Sequence, residues 1–229
     1  MNRTVGVFKM HLRDKFSWLY LPWMIVGGVF AVSIALASAL PETIVSGGLF
    51  SIFVYYFLLG IIVPPQTFLY SLGMSIRRTD YFLGTSFAAA VFGAISSLLL
   101  LVLAILEHTW LSNWGIGLEF FHLPFVNDVS VPMQFIAYFV LIMFLFFAGL
   151  TIASIYRKFG RPGMYVFALL LFFIFAFTPL LISYYDRWER IGQWIIANIL
   201  SMNVVTLWLV PLIALFALAS YGMLRRSTV

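Results

Sequence analysis

Residues 83–106 read LGTSFAAAVFGAISSLLLLVLAIL, 24 positions without a charge. A helix of that length rises about 36 Å, enough to cross the roughly 30 Å hydrocarbon core of a bilayer. A transmembrane barrel strand would be about ten residues long with alternating polarity, whereas this run is apolar on every face. In lipid the backbone groups of such a segment are satisfied only inside a helix. Five further runs of the same kind lie outward from it, at about Trp18–Leu40, Leu49–Tyr70, Met133–Tyr156, Met164–Tyr184 and Ile195–Leu224. The sequence therefore predicts an all-α polytopic membrane protein with six transmembrane helices, a single domain over residues 1–229.

Composition agrees. Of 229 residues, 63% are hydrophobic and 9% charged, against about 25% charged in soluble domains. So few charges cannot cover the surface of a soluble globule of this size, and the short loops leave no room for a separate catalytic domain. The lack of cysteine excludes disulfides, thiolate metal sites and thiol nucleophiles. The net charge of +5 comes from small basic groups between apolar runs, not from a stripe, so no nucleic-acid partner is expected.

Those groups report topology. With the N-terminus cytoplasmic, 11 of 13 basic residues face inward: Arg3, Lys9, Arg13 and Lys15, then Arg77 and Arg78, then Arg157, Lys158 and Arg161, then Arg225 and Arg226. Only Arg187 and Arg190 fall outside. This positive-inside bias places both termini in the cytoplasm. Segment 1–17 mixes cations with apolar residues, and Val5, Phe8, Leu12 and Phe16 can share one face, as in an interfacial amphipathic helix. A structureless basic tail is the competing reading. A cleaved signal peptide also competes, although the following run is longer than the usual 7–15 apolar residues. In that run Gly27, Ala31, Ala35 and Ala39 form a small-residue ridge, and Ala89, Gly93 and Ser97 form another in the third. Such ridges let membrane helices approach closely, within one chain or between two.

The second run contains Pro64-Pro65, which should kink or break it near its inner end. The chain continues as SLGMSIRRTDYFLGT, residues 71–85. Gly73 can close one helix, and Thr79 can cap the next with Asp80 in its first turn. The result is a compact basic elbow over 71–82, which on topology alone is equally well a plain turn whose arginines anchor the inner side.

This stretch resembles the loop between the second and third spans of type II ABC exporter permeases, especially small bacterial membrane subunits made separately from their ATPase. The pattern Leu-Gly-x-Ser/Thr-Arg-Arg/Lys-x-Asp/Glu-Phe/Tyr-x-x-Gly is met by Leu72, Gly73, Ser75, Arg77, Arg78, Asp80, Tyr81 and Gly84, with Ile76 as an inserted position. The resemblance covers about fifteen residues by motif, and the rest only as architecture. It implies a short coupling helix seated on a separate ATP-binding subunit, with Gly73, Met74, Ser75, Ile76, Arg77, Arg78, Thr79 and Asp80 at the interface. It further implies ATP and Mg on that partner, none bound here, and a second permease copy or paralogue in a bacterial inner membrane. The chain itself has no Gly-x-x-x-x-Gly-Lys-Ser/Thr phosphate loop. The expected cargo is amphipathic or hydrophobic (a peptide, lipid-like molecule or drug), moved by alternating access.

An ion-coupled secondary transporter is the rival from another class, and a non-catalytic accessory membrane protein a further one. Secondary transporters place ionisable residues within the bilayer. Here Glu107-His108, at the outer end of the third run, comes nearest and reads as a solvated loop edge. An intramembrane enzyme would need more than Glu119-x-x-His122 with Asp128 nearby, since Gly115, Gly117 and Pro124 mark an outer loop. That loop, 107–131, carries Trp110, Trp114, Phe120, Phe121 and Phe125 and is expected to rest on the outer leaflet as an aromatic collar. A second outer loop, 185–194, places Asp186 and Arg190 one helical turn apart.

Overall fold

The computed structural model describes residues 3–39, 44–45, 47–110, 113–121, 130–199 and 202–226. It shows a multi-pass all-α membrane protein. Helix α1 (Arg3–Arg13) leads through a π-helical turn, Phe16–Tyr20, into α2 (Leu21–Ala39). Then come α3 (Phe50–Gly73), α4 (Arg78–Ile105), α5 (Val131–Tyr184), α6 (Trp188–Ile199) and α7 (Met202–Arg225). Among the described residues, five stretches are long and apolar enough to cross a membrane, and they fall in α2, α3, α4, α5 and α7.

At 54 residues α5 would extend about 80 Å if straight, far beyond any bilayer. It is broken at Gly160, whose φ of 65° and ψ of −156° are outside the reach of residues with a Cβ. Pro162 follows, where a helix start tolerates the missing N–H. The two halves, 131–159 and 161–184, correspond to the fourth and fifth apolar runs. The last apolar run is divided differently from expectation. Its beginning, to Ile199, completes the amphipathic α6, which at about 18 Å is too short to span, and α7 supplies the long helix.

The core is the packing of α3, α4 and the first half of α5, with Tyr56, Phe92, Tyr138, Ile142 and Phe146 fully interior. The tightest crossing is made by two glycines. A Cβ at Gly60 would lie inside contact with the Phe146 carbonyl oxygen and 2.9 Å from the Leu150 nitrogen. A Cβ at Gly149 would likewise meet the Phe57 carbonyl and lie 3.1 Å from the Ile61 nitrogen. Only Gly at both positions lets the two backbones touch. The ridge Ala89, Gly93 and Ser97 is buried, with Gly93 facing Ile142 and Met143 of α5. The ridge Gly27, Ala31, Ala35 and Ala39 is exposed, because α2 packs through Pro22, Val26, Ser33 and Ala37 instead. Residues 161–184 bury no side chain, and Phe172, Phe175 and Leu180 stand free.

Pro64 and Pro65 do not break α3, which continues eight residues further to Gly73. Flanking hydroxyls accompany the lost donors: Thr67 Oγ1 donates to the Val63 carbonyl and Ser71 Oγ to that of Thr67, each at 2.8 Å. The outer collar is corrected too. Phe120 and Phe121 are buried and pack on Phe30 of α2, and a two-residue parallel bridge joins β1 (Ile44–Val45) to β2 (Leu118–Glu119). The organiser is Glu107, which is buried and accepts bonds from Trp114 Nε1 at 3.0 Å, Phe120 N at 2.9 Å and Phe121 N at 3.0 Å. It is an acceptor with three donors, not a solvated loop edge. Phe125, His122 and Asp128 lie outside the described residues, and no group of metal-binding side chains occurs among those described.

Candidate functional site

The basic segments converge at one end of the bundle. The elbow between α3 and α4 is four residues, Met74 to Arg77. It contains no helix of its own: residues 71–73 finish α3 and 78–82 begin α4. The exit from α3 is a Schellman cap, with Ser75 N–H donating to the Leu72 carbonyl at 2.9 Å and Ile76 N–H to that of Ser71 at 3.2 Å. This cap needs a left-handed residue, and it is Ser75, with φ of 58°, not Gly73. Thr79 does not cap α4 either. The capping position is Arg77, in extended conformation and without a side-chain bond, so Thr79 and Asp80 both lie in the first turn. Asp80 there accepts a bond from Thr4 Oγ1 at 3.2 Å, which ties α1 to the start of α4.

Exposure sorts the expected interface residues. Gly73, Met74, Ser75 and Arg77 are exposed, while Ile76 is half-buried against a small cluster of Val7, Phe68, Tyr81 and Leu224. Arg78 turns away from the tip: its Nη1 donates to the Arg225 carbonyl at 3.0 Å, at the end of α7 where a cation complements the helix dipole. Arg157 of α5 stacks over the Phe68 ring at 4.3 Å. The helix ends on either side of the elbow are thus tied to α1, α5 and α7.

Helix α1 docks with only part of the face its sequence advertises: Phe8 and Leu12 pack on the core, Phe8 against Phe87 of α4. Val5 and Phe16 are exposed, whereas Val7 and His11 are buried against α4. A Cβ at Gly84 would lie 2.6 Å from Val7 Cβ and 2.9 Å from the Thr4 carbonyl, so this glycine admits the helix. His11 Nε2 bonds Thr85 Oγ1 at 3.0 Å, and the ring meets Trp18 edge-on. Burial lowers the His11 pKa to about 4, partly offset by nearby Asp14, and keeps the imidazole neutral. Asp14 in turn caps the next helix, accepting from Ser17 N at 3.2 Å and Ser17 Oγ at 3.0 Å. His11 drew no notice in the sequence. One signal was present, because a hydroxyl at 85 beside a glycine at 84 supplies both the space and the bond.

No family profile, curated protein or solved structure matches the chain. Its function therefore rests on its own residues. At the opposite end, Asp186 is the left-handed residue of a second Schellman cap: its N–H donates to the Ser183 carbonyl at 3.1 Å and Arg187 N–H to that of Ile182 at 3.0 Å. Asp186 therefore precedes α6 and does not share a helical face with Arg190. In α6 Gln193 reaches Glu189 at 3.5 Å.

Proposed function

We propose that the chain is the membrane-spanning permease subunit of an ATP-driven exporter, with six crossings, both termini in the cytoplasm and the elbow as the contact for a separate ATPase. The observation that carries this reading is the construction of the elbow. Its tip offers an exposed methionine and arginine, Met74 and Arg77, suited to an apolar groove rimmed by acids. Its flanks, α3 and α4, are fixed through Thr4–Asp80, Arg78–Arg225 and Arg157–Phe68 to three other helices, α1, α7 and α5. A force applied at the tip would therefore pass through α3 and α4 to α1, α5 and α7, as alternating access driven from outside the membrane requires. Among the described residues, the middles of the spans carry no charged side chain. Glu107, at the outer end of the third run, accepts from three N–H donors that hold the outer loop.

A second copy or paralogue completes the reading. The exposed ridge of α2 and the unburied residues 161–184 are surfaces on which another permease chain or lipid would lie. An amphipathic or hydrophobic cargo would then move along apolar walls between subunits.

The test is affinity isolation of the tagged protein from its native membrane in mild detergent, comparing the natural chain with Met74→Glu/Arg77→Glu. Arg78 is left alone because its bond to the α7 end makes it structural. A stoichiometric ATP-hydrolysing partner, lost in the variant while membrane insertion persists, is expected. If no ATPase accompanies the natural chain even after crosslinking, the exporter reading is wrong, and ion-coupled transport or an accessory role takes its place.

A further inference from the structure

Because α1 docks on α4, a gap opens between α1 with its following turn and one face of α3. A cavity of about 770 Å³ opens there beside Lys9, Arg13, Tyr70 and Met74. A second, of about 270 Å³, runs on between Leu21 on one side and Leu59 and Ile62 on the other. Met10 and Asp14 wall both, so the two adjoin and are read together as one groove. Its α3 wall steps through positions 74, 70, 66, 62 and 59, one stripe of a helix. The groove is graded in chemistry: two cations at the basic end, then the hydroxyls and amide of Ser17, Thr67 and Gln66, then aliphatic side chains.

We propose that this groove holds one phospholipid with an anionic headgroup, its phosphate at Lys9 and Arg13 and an acyl chain along Leu21, Leu59 and Ile62. Charge complementarity selects the occupant. Lys9 and Arg13 are one helical turn apart on α1, both exposed, and neither forms an ion pair among the described residues. The one carboxylate in the groove, Asp14, is turned to Ser17 N and Oγ. A zwitterionic headgroup would bring its own cation against Lys9 and Arg13, whereas an anionic one would not. The groove is open on the lipid side, since Ile62 in its aliphatic stretch is 45% exposed and Tyr70 at its basic end 59%. The lipid would thereby add to the few side-chain links between α1 with its turn and α3, Ser71 Oγ to Met10 Sδ at 3.8 Å and Tyr55 OH to the Ser17 carbonyl at 2.6 Å.

The test is native mass spectrometry of the purified full chain in neutral detergent, titrated with phosphatidylglycerol or with phosphatidylcholine of the same acyl chains. The natural protein should bind one phosphatidylglycerol about tenfold more tightly than phosphatidylcholine, given two cations at the headgroup. Lys9→Gln/Arg13→Gln should abolish that preference. Arg187→Gln/Arg190→Gln, which removes the same charge elsewhere, should retain it, as should the charge-preserving exchange Lys9→Arg/Arg13→Lys. Ile62→Trp, filling the apolar stretch, should weaken both lipids. An undiminished preference in Lys9→Gln/Arg13→Gln, an equal loss in the Arg187/Arg190 control, or unaltered binding in Ile62→Trp would each overturn the proposal.

Discussion

Replacing Gly60 by alanine places one methyl group where α3 and α5 touch. The new Cβ would overlap the Phe146 carbonyl oxygen and stand 2.9 Å from the Leu150 nitrogen. Both are backbone atoms, so no rotamer change relieves the clash, and the helices must separate by on the order of 1 Å along a close-packed seam. Overpacking of this kind costs about 1–3 kcal/mol. Against it stands the better helix propensity of alanine, worth about 1 kcal/mol. Gly27 is the built-in control, because a Cβ there meets nothing within 4 Å. Gly60→Ala should therefore fall below Gly27→Ala by about 1–3 kcal/mol in detergent-denaturation titrations followed by circular dichroism. Gly149→Ala should cost about the same, since its Cβ meets Phe57 across the same seam. The double variant should cost less than the two singles together, because one separation of the helices accommodates both methyls. Equal stability of Gly60→Ala and Gly27→Ala would refute the backbone-to-backbone crossing.

Three further outcomes follow from particular residues. Glu107→Ala strands the N–H groups of Trp114, Phe120 and Phe121 and should cost about 3 kcal/mol, read as faster proteolysis within 107–131 and a red-shifted emission of Trp114. His11 has a folded pKa of about 4 against an ordinary 6.5, so the unfolded chain binds the extra proton first as pH falls. The stability that its burial leaves intact above pH 6.5 should decline toward pH 4 by at most about 3 kcal/mol, and His11→Gln should flatten that slope in pH-dependent denaturation. Ser75→Gly should stabilise the elbow by about 1 kcal/mol, because Ser75 holds a left-handed conformation that glycine adopts freely, and a lower midpoint in thermal unfolding would contradict the cap.

The apolar runs by themselves determined that this chain is a bundle of membrane helices and roughly where each lies, since length and uniform hydropathy are local properties of a segment in lipid. The break after Tyr156 was legible from the end of the apolar run and the basic group Arg157, Lys158 and Arg161, whereas the turn at Gly160 and Pro162 that makes it went unread. The elbow was legible as a turn, but its cap was not. Gly73 looked like the left-handed residue, yet where a helix stops depends on packing, and Ile76 seating beside Phe68 and Leu224 carries α3 to the Schellman turn at Ser75. Pro64 and Pro65 did not break α3, whose buried face (Leu59, Gly60, Val63, Pro64 and Phe68) runs through them and packs on the neighbouring helices. Which side of α1 packs, which small-residue ridge is buried, and that Glu107 gathers the outer loop were decided only by tertiary structure. In water the apolar face of a helix is its buried face. In a membrane lipid accepts apolar surface as readily as protein does, so burial is chosen by close approach and hydrogen bonding, through Gly60, Gly84, Gly149 and His11, and those depend on partners distant in sequence.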